Sequence, residues 1–274
     1  MSLETSRPPL LRVADLADPR LDDYRNLRDK SLEQRASFVA ESEVVLRVLI
    51  RRRTHPIRSV LLAESKIDKL APLTALVPAD VPVFAAPQAA LDAISGFHIH
   101  RGVLASAART PLPSPETFLA ALPARATIIA LEGLSNHDNI GAIFRNAAAL
   151  GADGICLDPA TCDPLYRKSI RVSVGACLLV PYTRCPSIAE LVPLLHAAGF
   201  TIVALTPNDP ARDITTFRAG RPDRVALLLG SEGPGVTPAT LALADERVRI
   251  AQRTTFDSLN VATACGIALH ELAG

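Results

Sequence analysis

Short apolar runs alternate with longer amphipathic stretches along nearly the whole chain, and that alternation predicts strands and helices in turn. After an irregular arm over 1–20, the pattern predicts a polar helix over 21–35, then strand 38–40, helix 42–53, strand 59–63, helix 66–76, strand 82–85, helix 87–94 and strand 102–107. A second series follows: strand 127–131, helix 139–150, strand 154–157, helix 163–171, strand 178–182, helix 187–198 and strand 201–205. It ends with a loop over 206–222, strand 225–229, helix 237–244, strand 248–250 and a terminal helix from 258. Val225-Ala-Leu-Leu-Leu229 is apolar at every position, as expected of a strand covered by helices on both faces. The fold class implied is α/β with a mostly parallel sheet in the second series.

Between the two series lies Thr110-Pro-Leu-Pro-Ser-Pro-Glu116, whose prolines favour extended backbone and interrupt helix and sheet alike. This divides the chain into an N-terminal domain over 1–109, a linker over 110–124 and a C-terminal domain over 125–274. A chain of 274 residues is long enough for two cores.

Composition narrows the class. No stretch of roughly 18 residues is free of charge, Gly and Pro, so no membrane-spanning helix is expected. The N-terminal Met-Ser-Leu-Glu-Thr-Ser-Arg lacks the apolar core of a signal peptide, so the expected location is cytoplasmic. Cysteines 156, 162, 177, 185 and 265 show no metal-type spacing and no even pairing. They read as small apolar residues or thiols, and no metal is expected. The net charge of +1 argues against binding driven by bulk charge. The distribution is uneven, however: 16 Lys and Arg against 13 Asp and Glu through residue 110 give +3, and 13 against 15 beyond it give −2. Locally, Arg51, Arg52, Arg53, His55 and Arg58 form one basic run, and Arg167, Lys168 and Arg171 another.

Three polar segments, two of them glycine-marked, fall beside strand ends of the second series. In Asn139-Ile-Gly-Ala-Ile-Phe-Arg145, Asn139 sits where a helix begins, and Arg145 lies almost two turns further on. An Asn there can cap the helix; an Arg there can either pair with Glu132 or Glu232 or face an anion. Gly230-Ser-Glu-Gly-Pro-Gly235 follows a buried strand, the usual place for a ligand loop. Glu232 breaks the dinucleotide fingerprint and would repel a pyrophosphate, which speaks against a nucleotide-dependent oxidoreductase and for a ligand without phosphate. In Ser258-Leu-Asn-Val261, Ser258 can cap the last helix, while Asn260 invites a site role.

In this order the segments resemble the three motifs of the SpoU/TrmH family of RNA ribose 2′-O-methyltransferases. Arg171-Val-Ser-Val-Gly-Ala176 is similar to the family's intermediate segment. Phe38-Val-Ala-Glu-Ser-Glu43 and Phe97-His-Ile-His-Arg-Gly-Val103 resemble the ribosomal-protein-like substrate domain that precedes it in many members. The resemblance implies a deep trefoil knot, S-adenosylmethionine as cofactor, and a homodimer acting on structured ribosomal or transfer RNA, with neither membrane nor DNA as partner. It also implies Arg145 as the central catalytic residue, positioned by Asn139, with Glu232, Ser258 and Asn260 completing the pocket and Gly230, Ile250 and Leu259 around the cofactor. The basic runs Arg51–Arg53 with Arg58, and Arg167, Lys168 and Arg171, then become candidates to grip RNA phosphates. Where the family usually reads Ile-Pro-Met-x-Gly, this chain has Ile250-Ala-Gln-Arg-Thr254. That departure leaves a non-catalytic RNA-binding protein as the alternative.

Overall fold

A computed structural model of the chain describes residues 8–273 apart from 14, 16, 26, 28–35, 97, 100, 208–209 and 253–257. In chain order the first elements are β1 (Leu10–Arg12), β2 (Ser37–Glu41), α1 (Glu43–Arg52), β3 (Ile57–Ala63), α2 (Ile67–Thr74), β4 (Val83–Ala86), α3 (Gln88–Ser95) and β5 (Val103–Ala108). Next come α4 (Pro115–Ala120), β6 (Ala126–Leu131), α5 (His137–Leu150), β7 (Gly154–Leu157), α6 (Arg167–Val172), β8 (Tyr182–Arg184), α7 (Ile188–Ala197) and β9 (Thr201–Leu205). The chain finishes with β10 (Arg212–Asp213), α8 (Ile214–Arg218), β11 (Arg224–Leu229), α9 (Pro238–Leu241), β12 (Glu246–Arg249) and α10 (Val261–Ala273). They form two compact units, 1–110 with 165–179, and 111–164 with 180–274.

The first unit is a five-stranded mixed sheet in the order β1-β4-β3-β5-β2, with β5 antiparallel to both neighbours. Strand residues alternate between its faces. Phe38, Ala40, Val60, Leu62, Val83, Ala85, Val103 and Ala105 meet α1 and α2 in one core. Val39, Leu61, Ala63, Phe84 and Leu104 meet Leu21, Tyr24, Leu91 and Ile94 in another. Of the polar helix expected over 21–35, the start falls in a 3-10 turn over Pro19–Tyr24, its apolar Leu21 and Tyr24 buried, while residues 26 and 28–35 lie outside the described residues. The sequence places His55 in an exposed basic run, but it is buried against Phe38, and burial pushes its pKa down. Its Nδ1 accepts from the Thr110 backbone N–H at 3.3 Å.

Ser42 holds φ 100° and ψ 153°, a region that side chains avoid, while its hydroxyl accepts from Val45 N at a long 3.4 Å to start α1. Such strain costs about 1–3 kcal/mol, and glycine is only a few tenths of a kcal/mol worse than serine as a cap. Allowing for glycine's greater freedom in the unfolded chain, Ser42→Gly is expected to stabilise the first unit by about 1 kcal/mol. Denaturant titration of the two proteins measures it.

The second unit is a seven-stranded sheet, parallel throughout, in the order β10-β12-β9-β11-β6-β7-β8. Ile128, Ala130, Cys156, Ile202, Ala204, Ala226 and Leu228 pack beneath α4 and α7. The alternate positions Ile129, Leu131, Ile155, Leu157, Val203, Leu227 and Leu229 are equally buried on the other face. Helices α5 and α10 pack together, with Asn146 Nδ2 donating to Ala262 O at 2.7 Å.

Four expectations need correction. Within the proline-rich stretch, Pro115–Ala120 forms α4, because Ser114 caps it and Phe118 and Leu119 are buried in the second unit's core. The strand expected over 178–182 is only Tyr182–Arg184, since Ala176–Leu178 forms a 3-10 turn whose Leu178 belongs to the first unit's core. The loop expected over 206–222 contains β10 and α8, the latter anchored by buried Ile214 and Phe217. The segment 165–179, read as part of the C-terminal domain, packs with the first unit. Among the described residues no helix is long and apolar enough to cross a membrane. None of the five cysteines is in a disulfide, and four of them are buried.

Candidate active site

In a parallel sheet every loop after a strand emerges at one edge, and ligands gather there. The loops after β9, β11 and β12 meet at that edge with the start of α10 around a cavity of about 380 Å³. This falls within the roughly 300–1,000 Å³ usual for small-molecule sites. Gly230, Glu232, Ile250, Ser258, Leu259 and Asn260 all line it. Sequence reasoning missed Leu205, Thr206, Pro207 and Leu241, which line it too. The signal was available: Leu205 ends a strand parallel to β11, so it and the residues after it must reach the same edge.

The loop after β11 closes on itself. Ser231 and Gly235 form an isolated bridge, with Gly235 N donating to Ser231 O at 3.1 Å. A Cβ on Gly230 would stand 2.0 Å from the Gly235 carbonyl carbon and 2.1 Å from Val236 N. Gly230 is therefore required by the loop's own backbone, where the sequence suggested only room for a ligand. Beside this loop, Glu132 accepts from Thr237 N at 2.9 Å and from the hydroxyls of Thr237 and Thr240, fixing the start of α9.

The three polar segments converge through side chains. Asn139 is 6% exposed and donates through Nδ2 to Glu232 Oε1 at 2.5 Å. Asn260 Nδ2 donates to Asn139 Oδ1 at 3.0 Å and to Glu232 Oε1 at 3.2 Å. The side-chain oxygen of Asn260, Oδ1, accepts from Ala262 N and Thr263 N and so caps α10. Two capping expectations shift as a result. Asn136, not Asn139, caps α5, through Asp138 N at 2.9 Å; Asn260, not Ser258, caps α10. Asn139 lies inside α5, three residues past its cap, and Ser258 lies two residues before the cap of α10.

Arg145 lies apart from this cluster. Six residues beyond Asn139 at about 100° per residue, it faces about 120° round the helix. It is exposed, does not line the cavity, and makes no hydrogen bond or ion pair among the described residues. The pairing with Glu132 or Glu232 weighed from sequence is not formed, since both carboxylates are engaged elsewhere. Gln252 lines the cavity, while Arg253 and Thr254 lie outside the described residues.

The basic candidates all fall in the first unit. Arg51, Arg52 and Arg53 are exposed at the C-terminal end of α1. Arg58 sits 3.4 Å from Asp23. Arg171 is exposed on α6 and Lys168 half-buried there, whereas Arg167 pairs with Glu41. Burial pushes the Arg167 pKa down, partly offset by Glu41.

Comparison with known proteins adds an independent line. A profile described as the SpoU rRNA Methylase family matches residues 126–270. An uncharacterized tRNA/rRNA methyltransferase of Mycobacterium tuberculosis is 40% identical over 271 residues, covering 94% of this chain and 90% of that protein. The 23S rRNA (guanosine-2′-O-)-methyltransferase RlmB of Salmonella typhimurium is 29% identical over 230 residues, covering 82% and 93%. Among solved structures, an AdoMet-bound rRNA methyltransferase from Sinorhizobium meliloti superposes with a TM-score of 0.81 at 25% identity, covering 96% of this chain and 97% of that one.

Proposed function

Because the chain belongs to the SpoU rRNA methylase family, we propose that it methylates a ribose 2′-hydroxyl in structured ribosomal or transfer RNA. Its cofactor is S-adenosylmethionine. The observation that carries the reading is the hydrogen-bonded cluster Asn139–Glu232–Asn260, which joins all three motif segments at the rim of one cavity. The 2′-hydroxyl as acceptor is supported by the name of the Salmonella relative.

The cavity suits the cofactor on physical grounds. Among its described lining residues, Leu205, Leu241, Ile250 and Leu259 can enclose an adenosine, and none carries a basic side chain to hold a phosphate. Gly230, Ile250 and Leu259 would hold it. When bound, S-adenosylmethionine supplies an electrophilic methyl group on a sulfonium.

The chain's own residues have the remaining work. A ribose hydroxyl is a weak nucleophile, so the site must hold it in line and favour departure of its proton. Arginine side chains are not deprotonated in proteins. Arg145 therefore serves as a clamp on the neighbouring phosphate that aligns the hydroxyl, more readily than as a base. Glu232 and Asn139 hold the cavity rim and Asn260 fixes the start of α10, with Ser258 in the same wall. Arg145 is exposed on a helix face away from this rim. That placement fits a homodimer in which a second copy brings its surface to the site. The trefoil knot of the family and its ribosomal-protein-like N-terminal domain belong to the same reading, as does a cytoplasmic location. With aromatics at 4% of the chain and no tryptophan, phosphate contacts at Arg51–Arg53, Arg58, Lys168 and Arg171 outweigh base stacking.

Mapping ribose methylation across cellular RNA with and without the protein tests the proposal. One or a few 2′-O-methyl positions should vanish without it; unchanged maps would overturn the reading.

A further inference from the structure

The segment Leu165–Leu179 lies inside the stretch matched by the methylase profile, yet its side chains complete the core of the first unit. Leu165, Ile170 and Leu178 pack among Phe38, Val45, Leu46 and Leu49. Arg167 Nη1 donates to Glu41 Oε2 at 3.0 Å, the two side chains only 16% and 6% exposed. Gly175, at φ 85°, lies against Val45 and Val48 of α1. The chain consequently passes between the two units three times, after Thr110, Pro164 and Leu179.

Two features mark this contact as more than apolar adhesion. A buried ion pair adds little net stability compared with an apolar pair, but it strongly disfavours arrangements that leave either charge unmatched. The second feature is strain on both sides of the contact. Ser42, next to Glu41, has φ 100°, and Val174, next to Gly175, has φ 55°, a left-handed conformation that a β-branched residue avoids. Strain of this kind persists where the surrounding structure imposes one geometry. The exposed Arg171 and half-buried Lys168 ride on the helix so fixed, in the same unit as the exposed Arg51, Arg52 and Arg53.

We propose that Glu41 and Arg167 are positioning residues for the RNA substrate: their buried pair fastens Leu165–Leu179 to the first unit, so that Lys168 and Arg171 meet the RNA backbone together with Arg51–Arg53. Arg167, a phosphate-gripping candidate on sequence alone, thus acts through its neighbours. The inference rests on RNA being the substrate. Its partner chemistry is a polyanion, because the residues it arranges are cations and the carboxylate at Glu41 is already matched.

The test uses the full chain, total RNA from cells lacking the protein as methyl acceptor, and the variants Glu41→Gln, Arg167→Met and the swap Glu41→Arg with Arg167→Glu. Each single variant should raise the KM for RNA at least about tenfold, with kcat at saturating RNA and the calorimetric Kd for S-adenosylmethionine unchanged. Amide exchange over 165–179 should quicken in both, and the swap should recover most of the loss. Arg167→Lys, which keeps the charge, should fall between wild type and Arg167→Met, and it serves if the latter does not fold. An unchanged KM, a loss confined to kcat, or a swap no better than the singles would overturn the proposal. If the wild-type protein methylates no RNA, the substrate reading fails separately; amide exchange still decides whether the pair holds the segment.

Discussion

Arg145→Ala should lower kcat for methyl transfer by on the order of 10²–10³ or more, the range seen when one preorganised group is removed from a reacting centre. Folding and cofactor binding should stay as they are. The contrast follows from placement. Arg145 is exposed, makes no hydrogen bond or ion pair among the described residues, and does not line the cavity. Truncating such a side chain usually changes stability by no more than about 0.5 kcal/mol. A cation without a hydrogen bond or ion pair among the described residues, just over two turns into a helix whose Ile140, Ile143, Phe144 and Ala147 are fully buried, is available for a substrate anion. Single-turnover transfer measured beside calorimetry of S-adenosylmethionine separates chemistry from binding. Near-normal turnover would remove Arg145 from the site, whether as clamp or as base.

The second large effect is expected at Gly230. In Gly230→Ala the new methyl would sit 2.0 Å from the Gly235 carbonyl carbon and 2.1 Å from both Gly235 O and Val236 N, all of them backbone. No side chain can rotate out of the way, so the bridge between Ser231 and Gly235 must open. Overpacking of this kind costs about 1–3 kcal/mol, and the opened loop no longer forms its wall of the cavity. Cofactor affinity should therefore fall by about 100-fold, equivalent to about 2.7 kcal/mol. Gly233 provides the internal comparison. It has φ 88° but nothing within 4 Å of an added Cβ. Gly233→Ala should cost only the conformational strain, about 1–2 kcal/mol, and weaken binding less. Calorimetric titration of both variants with S-adenosylmethionine decides the matter; equal affinities would mean that loop closure is irrelevant to the cavity.

What could be read from the sequence follows from the range of the forces involved. The parallel sheet was legible because Val225–Leu229 and its neighbours are buried on both faces, which leaves continuous apolar runs. The cavity wall was legible because Gly230, Ile250 and Leu259 each follow a strand end or precede a helix. Capping was misplaced at both helices by two or three residues, since Asn136 and Asn139, or Ser258 and Asn260, are chemically equivalent candidates until the backbone chooses. The proline-rich stretch hid α4, because its prolines outweigh the local signal until Phe118 and Leu119 find the core. The membership of 165–179 was beyond reach altogether. Nothing local in Arg167-Lys168 announces a partner at Glu41, 126 residues earlier, and a basic run on a short helix looks solvated until burial is known.

The central claim is that this chain carries methyl groups to ribose. Purified protein should be incubated with methyl-tritiated S-adenosylmethionine and total RNA from cells lacking it, and the labelled RNA then hydrolysed with alkali. A 2′-O-methyl group blocks cleavage of the adjacent phosphodiester, so the label should emerge in alkali-resistant dinucleotides from one or a few sites. Label released on mononucleotides would place the methyl on a base, and no label in RNA at all would remove the activity; either result would contradict the account.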